Sequence, residues 1–280
     1  MQLPIYIVDA FADRPLAGNP AAVCPLETWL PVATMQAIAA EMNLSETVFF
    51  APDADGAYGI RWFTPIREVE LIGHATLAAG YLVLTKLQPG ASQVRFRNGG
   101  DEFVVARDGD ALTLEMPSLP PKEIVPPPGL VEALGAGSGR LPKSVLAAKH
   151  YLCVYEHASD ITALTPDMNA LASMPLPAAI VTAPADGVAT GASTERFDFV
   201  SRFFAPANGV PEDAVSGVAH LCLAPYWAQR LGRDRLVGRQ LSARGGVVTC
   251  EDRGARVRLG GHATLFLEGR ISIGEGGAQA

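Results

Sequence analysis

Three short stretches carry the residue types that proton chemistry on a small carboxylate would need. In MNLSETVFF, Glu46 falls between a helix-like and a strand-like segment, with Val48, Phe49 and Phe50 directly behind it. A glutamate becomes a useful proton donor near neutral pH where an apolar wall disfavours its charged form. The same placement also suits a glutamate facing solvent at a strand start. In ELIGHATLAAG, Gly73 and His74 open a run of small residues with helical spacing. The first N–H groups of a helix lack backbone partners, and the helix dipole adds positive charge there. A glycine at that point lets a ligand approach the backbone. Gly73-His74-Ala75 therefore reads as a carboxylate cradle, or as a plain helix start with a small residue for packing. In GVPEDAVSGVAH, Glu212 and Asp213 precede Gly217 and Val218, which would open a second helix. These two acids could simply complement the helix dipole.

The letters GHAT return at Gly261 to Thr264, but there Ala263, Leu265 and Leu267 alternate with Thr264, Phe266 and Glu268. Period two marks a strand. His262 thus has no comparable reason to meet a ligand.

The elements that must position these residues follow from periodicity. Met35, Ile38, Ala39 and Met42 keep the spacing of an amphipathic helix, as do Ala75, Ala78, Ala79 and Leu82. The second of these is almost uncharged until Lys86, so it should be buried on most sides. Ile60, Trp62 and Thr64 alternate as in a strand, and Gln93 to Asn98 does likewise. PSLPPKEIVPPPG, from Pro117 to Gly129, is too rich in proline for a helix or a central strand. It divides the chain into comparable halves.

Each half runs as a strand ending in Ala-Pro, a turn, a strand ending near a proline, a connection, and a glycine followed by a helix. Pro65 matches Pro206, and Gly73 matches Gly217. The expected fold is α+β, with two similar lobes, each a curved, mostly antiparallel sheet around a central helix. The first lobe would span 1–117, joined by a C-terminal strand at about 265–280. Residues 118–129 would be the linker and 130–264 the second lobe. Both helix starts would then face an interlobe cleft.

Composition narrows the function. The chain has 280 residues, 22 basic against 29 acidic, for a net charge of −7. An acidic balance argues against nucleic acid or an anionic membrane as main partner. No stretch approaches the roughly 20 apolar residues of a membrane span. The start, MQLPIYIVDAF, reads as a strand and not as a signal peptide. Cys24, Cys153, Cys222 and Cys250 show no CxxC spacing, and the five histidines show no HxxxH or HExxH pattern. Buried, reduced thiols in a cytoplasmic protein without a metal site are expected.

Taken together, VDAFADRPLAGNPAAVC, MNLSETVFF, ELIGHATLAAG, the run from Arg202 to Ala228, and ARGGVVTC resemble the PhzF-like proteins of phenazine biosynthesis. The resemblance spans nearly the whole chain. It implies the diaminopimelate-epimerase-like fold, a homodimer, and a cofactor-independent isomerase like that acting on trans-2,3-dihydro-3-hydroxyanthranilate. It also implies Glu46 as general acid/base, assisted by His74 and Asp213. Gly73 with His74, and Gly217 with Val218, would hold the substrate carboxylate. Where the family commonly reads EDPxTGSA, this chain reads EDAVSGVA: Ala214, Ser216 and Val218 replace proline, threonine and serine. That raises a different substrate, or a ligand-binding protein without turnover, as an alternative. Related two-base racemases carry a cysteine at each helix start. Ile72 and Ser216 stand there instead, which disfavours an epimerase or racemase.

Overall fold

The computed structural model describes residues 1–70, 72–135, 139–186 and 196–274. The stretch 275–280 of the expected C-terminal strand, and most of the turn after Pro184, lie outside the described residues. The chain divides into two compact units, 1–115 with 260–280, and 116–259. The proline-rich segment belongs to the second unit.

The first unit contains β1 (Gln2–Ala10), β2 (Asn19–Pro25), α1 (Val32–Met42), β3 (Glu46–Pro52), β4 (Tyr58–Phe63), β5 (Glu68–Val69), α2 (Gly73–Leu82), β6 (Gln93–Asn98), β7 (Asp101–Asp108) and β8 (Ala111–Pro117). The second contains β9 (Lys122–Glu123), α3 (Leu130–Ala133), β10 (Ser144–Ala147), β11 (Tyr151–Val154), α4 (Ala158–Thr162), α5 (Met168–Ala172), β12 (Ala179–Pro184), β13 (Phe199–Phe204), α6 (Gly217–Leu231), β14 (Arg235–Gln240), β15 (Gly246–Asp252) and β16 (Arg256–Gly261). The chain then returns to the first unit as β17 (Ala263–Ser272).

Within the first unit the strands run β17-β1-β2-β3-β4-β6-β7. Successive pairings are antiparallel, antiparallel, parallel, antiparallel, parallel and antiparallel. Within the second they run β9-β10-β11-β12-β13-β14-β15, with the same series of orientations. The faint repeat in the letters is thus a full repeat of strand order. The fold is α+β, as the sequence pattern requires.

In the first unit the sheet curls around α2, which packs against β1, β2, β3, β7 and β17. Every α2 residue except Tyr81 is buried, which explains its lack of charge. Gly80 permits the close approach to β7, since a Cβ there would meet Val105 Cγ1 at 2.4 Å. Trp62 Nε1 on β4 donates to Thr76 Oγ1 on α2 across 3.1 Å, tying sheet to helix. α1 covers the opposite face, where Met35, Ile38 and Ala39 join Phe49, Ala51 and Phe63 in a separate core.

The second unit ties helix to sheet in the reverse direction: Trp227 Nε1 on α6 donates to Thr182 Oγ1 on β12, at 3.0 Å. Pro225 interrupts the α6 hydrogen-bond ladder, because proline has no N–H to give the Leu221 carbonyl. Leu119 N–H, from the proline-rich segment, fills that place at 3.0 Å. The segment is therefore docked on the helix, and Lys122–Glu123 within it forms the outer strand β9.

Candidate active site

Glu46 is the first residue of β3, opposite Ala21 of β2. Strand alternation puts Glu46, Val48 and Phe50 on one face and Thr47, Phe49 and Ala51 on the other. Trp62 stands opposite Val48 and bonds to α2. The Glu46 face is therefore the face turned to α2. Just before it, α1 ends at Asn43, whose left-handed backbone (φ 49°) reverses the chain into the strand. Ser45 Oγ donates to the buried Asn19 Oδ1 at 3.1 Å, fixing the entry of β3 against β2.

His74 is the second residue of α2. Its Nε2 lies 3.1 Å from Glu46 Oε2. The two side chains are in close buried contact. Glu46 is 8% exposed and His74 2%. The α2 start adds to this: Ile72 at its N-cap makes no side-chain cap, and no acid occupies the first turn. The positive end of this almost entirely buried helix thus lies against the Glu46 carboxylate.

The second unit carries a related but unequal helix start. Ser216 caps α6 by accepting from Ala219 N–H at 3.2 Å, which leaves Gly217 and Val218 N–H outside that cap. Gly217 is buried and Val218 half-buried. Asp213 is 8% exposed; its N–H donates to Phe203 O at 3.0 Å.

Glu212, by contrast, does not serve the helix end. It is held by Arg202, whose Nε and Nη2 donate to its two oxygens at 2.8 and 2.9 Å. Arg202 Nη1 also donates to Ile161 O and Leu164 O, and its guanidinium lies 4.8 Å from the Phe204 ring. The first unit repeats this device. Arg61 stands before Pro65 as Arg202 stands before Pro206. It grips Glu68 through two bonds of 2.7 and 2.6 Å and stacks on Phe63. Sequence reading missed both clamps, though the shared Arg-x-Phe-x-Pro spacing signals them.

Aligning Ala51-Pro52 with Ala183-Pro184 places Ala178 at the position of Glu46. Only the first unit has a carboxylate there. The second GHAT falls where the alternation places it: His262 is an exposed connection between β16 and β17, and its carbonyl accepts from Ala12 N–H.

All four cysteines are free and buried. Burial pushes the thiols of Cys24, Cys153 and Cys222 up to about 12 and raises that of Cys250 further. Among the described residues no group of three His, Cys, Asp or Glu side chains could hold a metal ion. No helix among them is long and apolar enough to cross a membrane.

Comparison with known proteins shows the family. The family model of the phenazine biosynthesis-like proteins (PhzC-PhzF) matches residues 8–269. An uncharacterised isomerase of Pseudomonas aeruginosa is 46% identical over 273 residues, covering 98% of this chain and 100% of that protein. A crystal structure of a PhzF-family protein from Enterococcus faecalis superposes with a TM-score of 0.88 at 38% identity, covering 98% of this chain and 100% of that one. A predicted epimerase from Pseudomonas aeruginosa, 23% identical, shares the fold with a TM-score of 0.70, covering 97% and 100%.

Proposed function

Because the chain belongs to the phenazine biosynthesis-like family and is an isomerase of it, we propose that it moves a proton on a small cyclic or unsaturated carboxylate, with Glu46 as the one general acid/base. The observation that carries this reading is the buried Glu46–His74 contact of 3.1 Å at a helix start that has no side-chain cap.

The reaction would resemble the isomerisation of trans-2,3-dihydro-3-hydroxyanthranilate. Glu46 takes a proton from a carbon next to the conjugated system, and the electron pair moves into that system. The protonated Glu46 then returns the proton to another carbon on the same face. Atoms and electrons balance without an oxidant or a second base. N–H groups of Gly73 and His74 hold the substrate carboxylate, and fixing the ring against the base lowers the barrier. His74 polarises the substrate or orients Glu46. The same reading makes Asp213 an assisting acid and gives Gly217 and Val218 N–H groups to the substrate. The reading carries with it a homodimer working in the cytoplasm without metal or organic cofactor.

Two observations bear on the rival readings. The helix starts carry Ile72 and Ser216, not thiols, and the four cysteines are buried with raised pKa. This disfavours a thiol-pair epimerase. Val218 offers a half-buried apolar side chain where the family pattern has serine, which favours a less polar ligand than the type substrate.

The test is proton NMR of the purified protein in D₂O with trans-2,3-dihydro-3-hydroxyanthranilate and a panel of small unsaturated carboxylates. Isomerisation or deuterium uptake of one compound, absent with Glu46→Gln, is the expected result. Binding of a panel compound without any carbon-bound exchange would replace the isomerase reading by that of a binding protein.

A further inference from the structure

Resting on the assignment of Asp213, Gly217 and Val218 to the substrate, we propose that Gln240 is the positioning residue that holds Asp213 and the α6 helix start in one fixed frame. Gln240 ends β14 and is fully buried. Its Nε2 donates to Asp213 O at 2.7 Å, and its Oε1 accepts from Ser216 N–H at 2.9 Å. One planar amide thus spans the two ends of the segment that leads into the helix.

The surrounding contacts give this bridge its meaning. Ser242 Oγ, two residues beyond Gln240, donates to Ala214 O at 2.6 Å. Asp213 N–H is anchored on Phe203 O, and Glu212 is gripped by Arg202. The segment is therefore held from β13 on its incoming side and from β14 on its outgoing side. Of these contacts, only the Gln240 amide touches both the backbone of Asp213 and the residue that caps α6. Its Oε1 holds Ser216 by its N–H, and Ser216 Oγ in turn takes Ala219 N–H.

The residue type is also specific. A glutamine side chain offers a donor and an acceptor on one rigid plane. Glutamate keeps the acceptor for Ser216 but sets an oxygen against Asp213 O. Asparagine has the same groups on a shorter stem. Methionine keeps the length and loses both bonds. Each lost bond leaves a buried backbone group without its partner, and the segment moves to find another. A shift of about 1 Å in a positioned group can cost roughly 10²-fold in rate.

The experiment compares wild type, Gln240→Met and Gln240→Glu as full-length proteins, by hydrogen exchange read by mass spectrometry and by steady-state kinetics. The kinetics use whichever compound wild type turns over in the D₂O assay. In Gln240→Met, amides of residues 213–219 should exchange at least about tenfold faster while β14 and β15 keep wild-type rates. In the same variant kcat should fall roughly 10- to 100-fold with a smaller change in KM. Gln240→Glu, which keeps the Ser216 contact, should lie between. Wild-type exchange over 213–219, wild-type kcat, or exchange that rises evenly across the second unit would overturn the proposal. If instead Glu46→Gln stays active, the role of Glu46 fails, and if wild type turns over no compound of the panel, the proposed substrate class fails. The local exchange pattern still decides what Gln240 holds.

Discussion

Replacing Arg202 and Arg61 by methionine, one at a time, separates a structural clamp from a surface ion pair in two copies of one motif. Both arginines pair with a glutamate through two bonds and lie against a phenylalanine ring two residues on. The loss of the phenylalanine contact is common to both and largely cancels; Arg61 also lies 5.8 Å from the exposed Trp29 ring, a contact of small worth at such a site. The surroundings differ. The Arg202 side chain is 13% exposed and Glu212 26%, while Arg61 is 26% and Glu68 35%. Arg202 also serves two carbonyls, Ile161 O and Leu164 O. Breaking a buried pair by removing one partner costs about 3–5 kcal/mol. Glu212 keeps some access to water, so roughly 3 kcal/mol is expected for Arg202→Met once the carbonyls are included. Arg61→Met, in a screened and partly solvated pair, should cost about 0.5–1 kcal/mol. Equilibrium urea unfolding followed by circular dichroism would read the difference of about 2 kcal/mol as a shift in midpoint at constant slope. Equal costs, or a larger one for Arg61→Met, would refute the argument from burial and carbonyl partners.

Thr76→Val removes the acceptor of Trp62 Nε1 inside the first unit and should cost about 1–3 kcal/mol in the same unfolding assay. Gly80→Ala puts a methyl against the Val105 side chain, and overpacking of that kind should cost roughly 1–3 kcal/mol, read as a lower melting temperature. A thiol reagent such as Ellman's should label no cysteine in the native protein at pH 8 and all four after denaturation, since burial raises every thiol pKa. His150 and His220 have pKa values lowered by burial to about 4 from 6.5. The unfolded chain therefore binds more protons between those values, so stability should fall as pH drops from about 6.5 towards 4. Replacing His150 by leucine should flatten that slope in acid unfolding curves.

Much of this was legible in the letters, for reasons that are local. Small residues at helical spacing after Gly73, with no charge until Lys86, describe a buried helix, and α2 is one. Alternation around His262 describes a strand, so the two GHAT copies could be told apart without coordinates. The glycine-led starts at Gly73 and Gly217 follow from the same kind of pattern. What escaped the sequence depends on register. The clamp of Glu212 needs β13 aligned so that Arg202 reaches it. Asn19 meets Ser45 because β2 and β3 pair in parallel, with Ala21 opposite Glu46. Pro225 announces that the Leu221 carbonyl loses its helical donor, but not that Leu119, about a hundred residues earlier, supplies the replacement. Gln240 sits at the end of an ordinary strand pattern, where its two bonds leave no trace in periodicity.

The central claim is that one carboxylate, Glu46, moves the proton. Its most direct test is the initial rate of deuterium incorporation into the responding substrate in D₂O, for wild type and Glu46→Gln, with both proteins shown to be folded by circular dichroism. General acid/base catalysis by this residue predicts a loss of at least about 10²-fold in Glu46→Gln. A variant that keeps incorporating deuterium near the wild-type rate would contradict it.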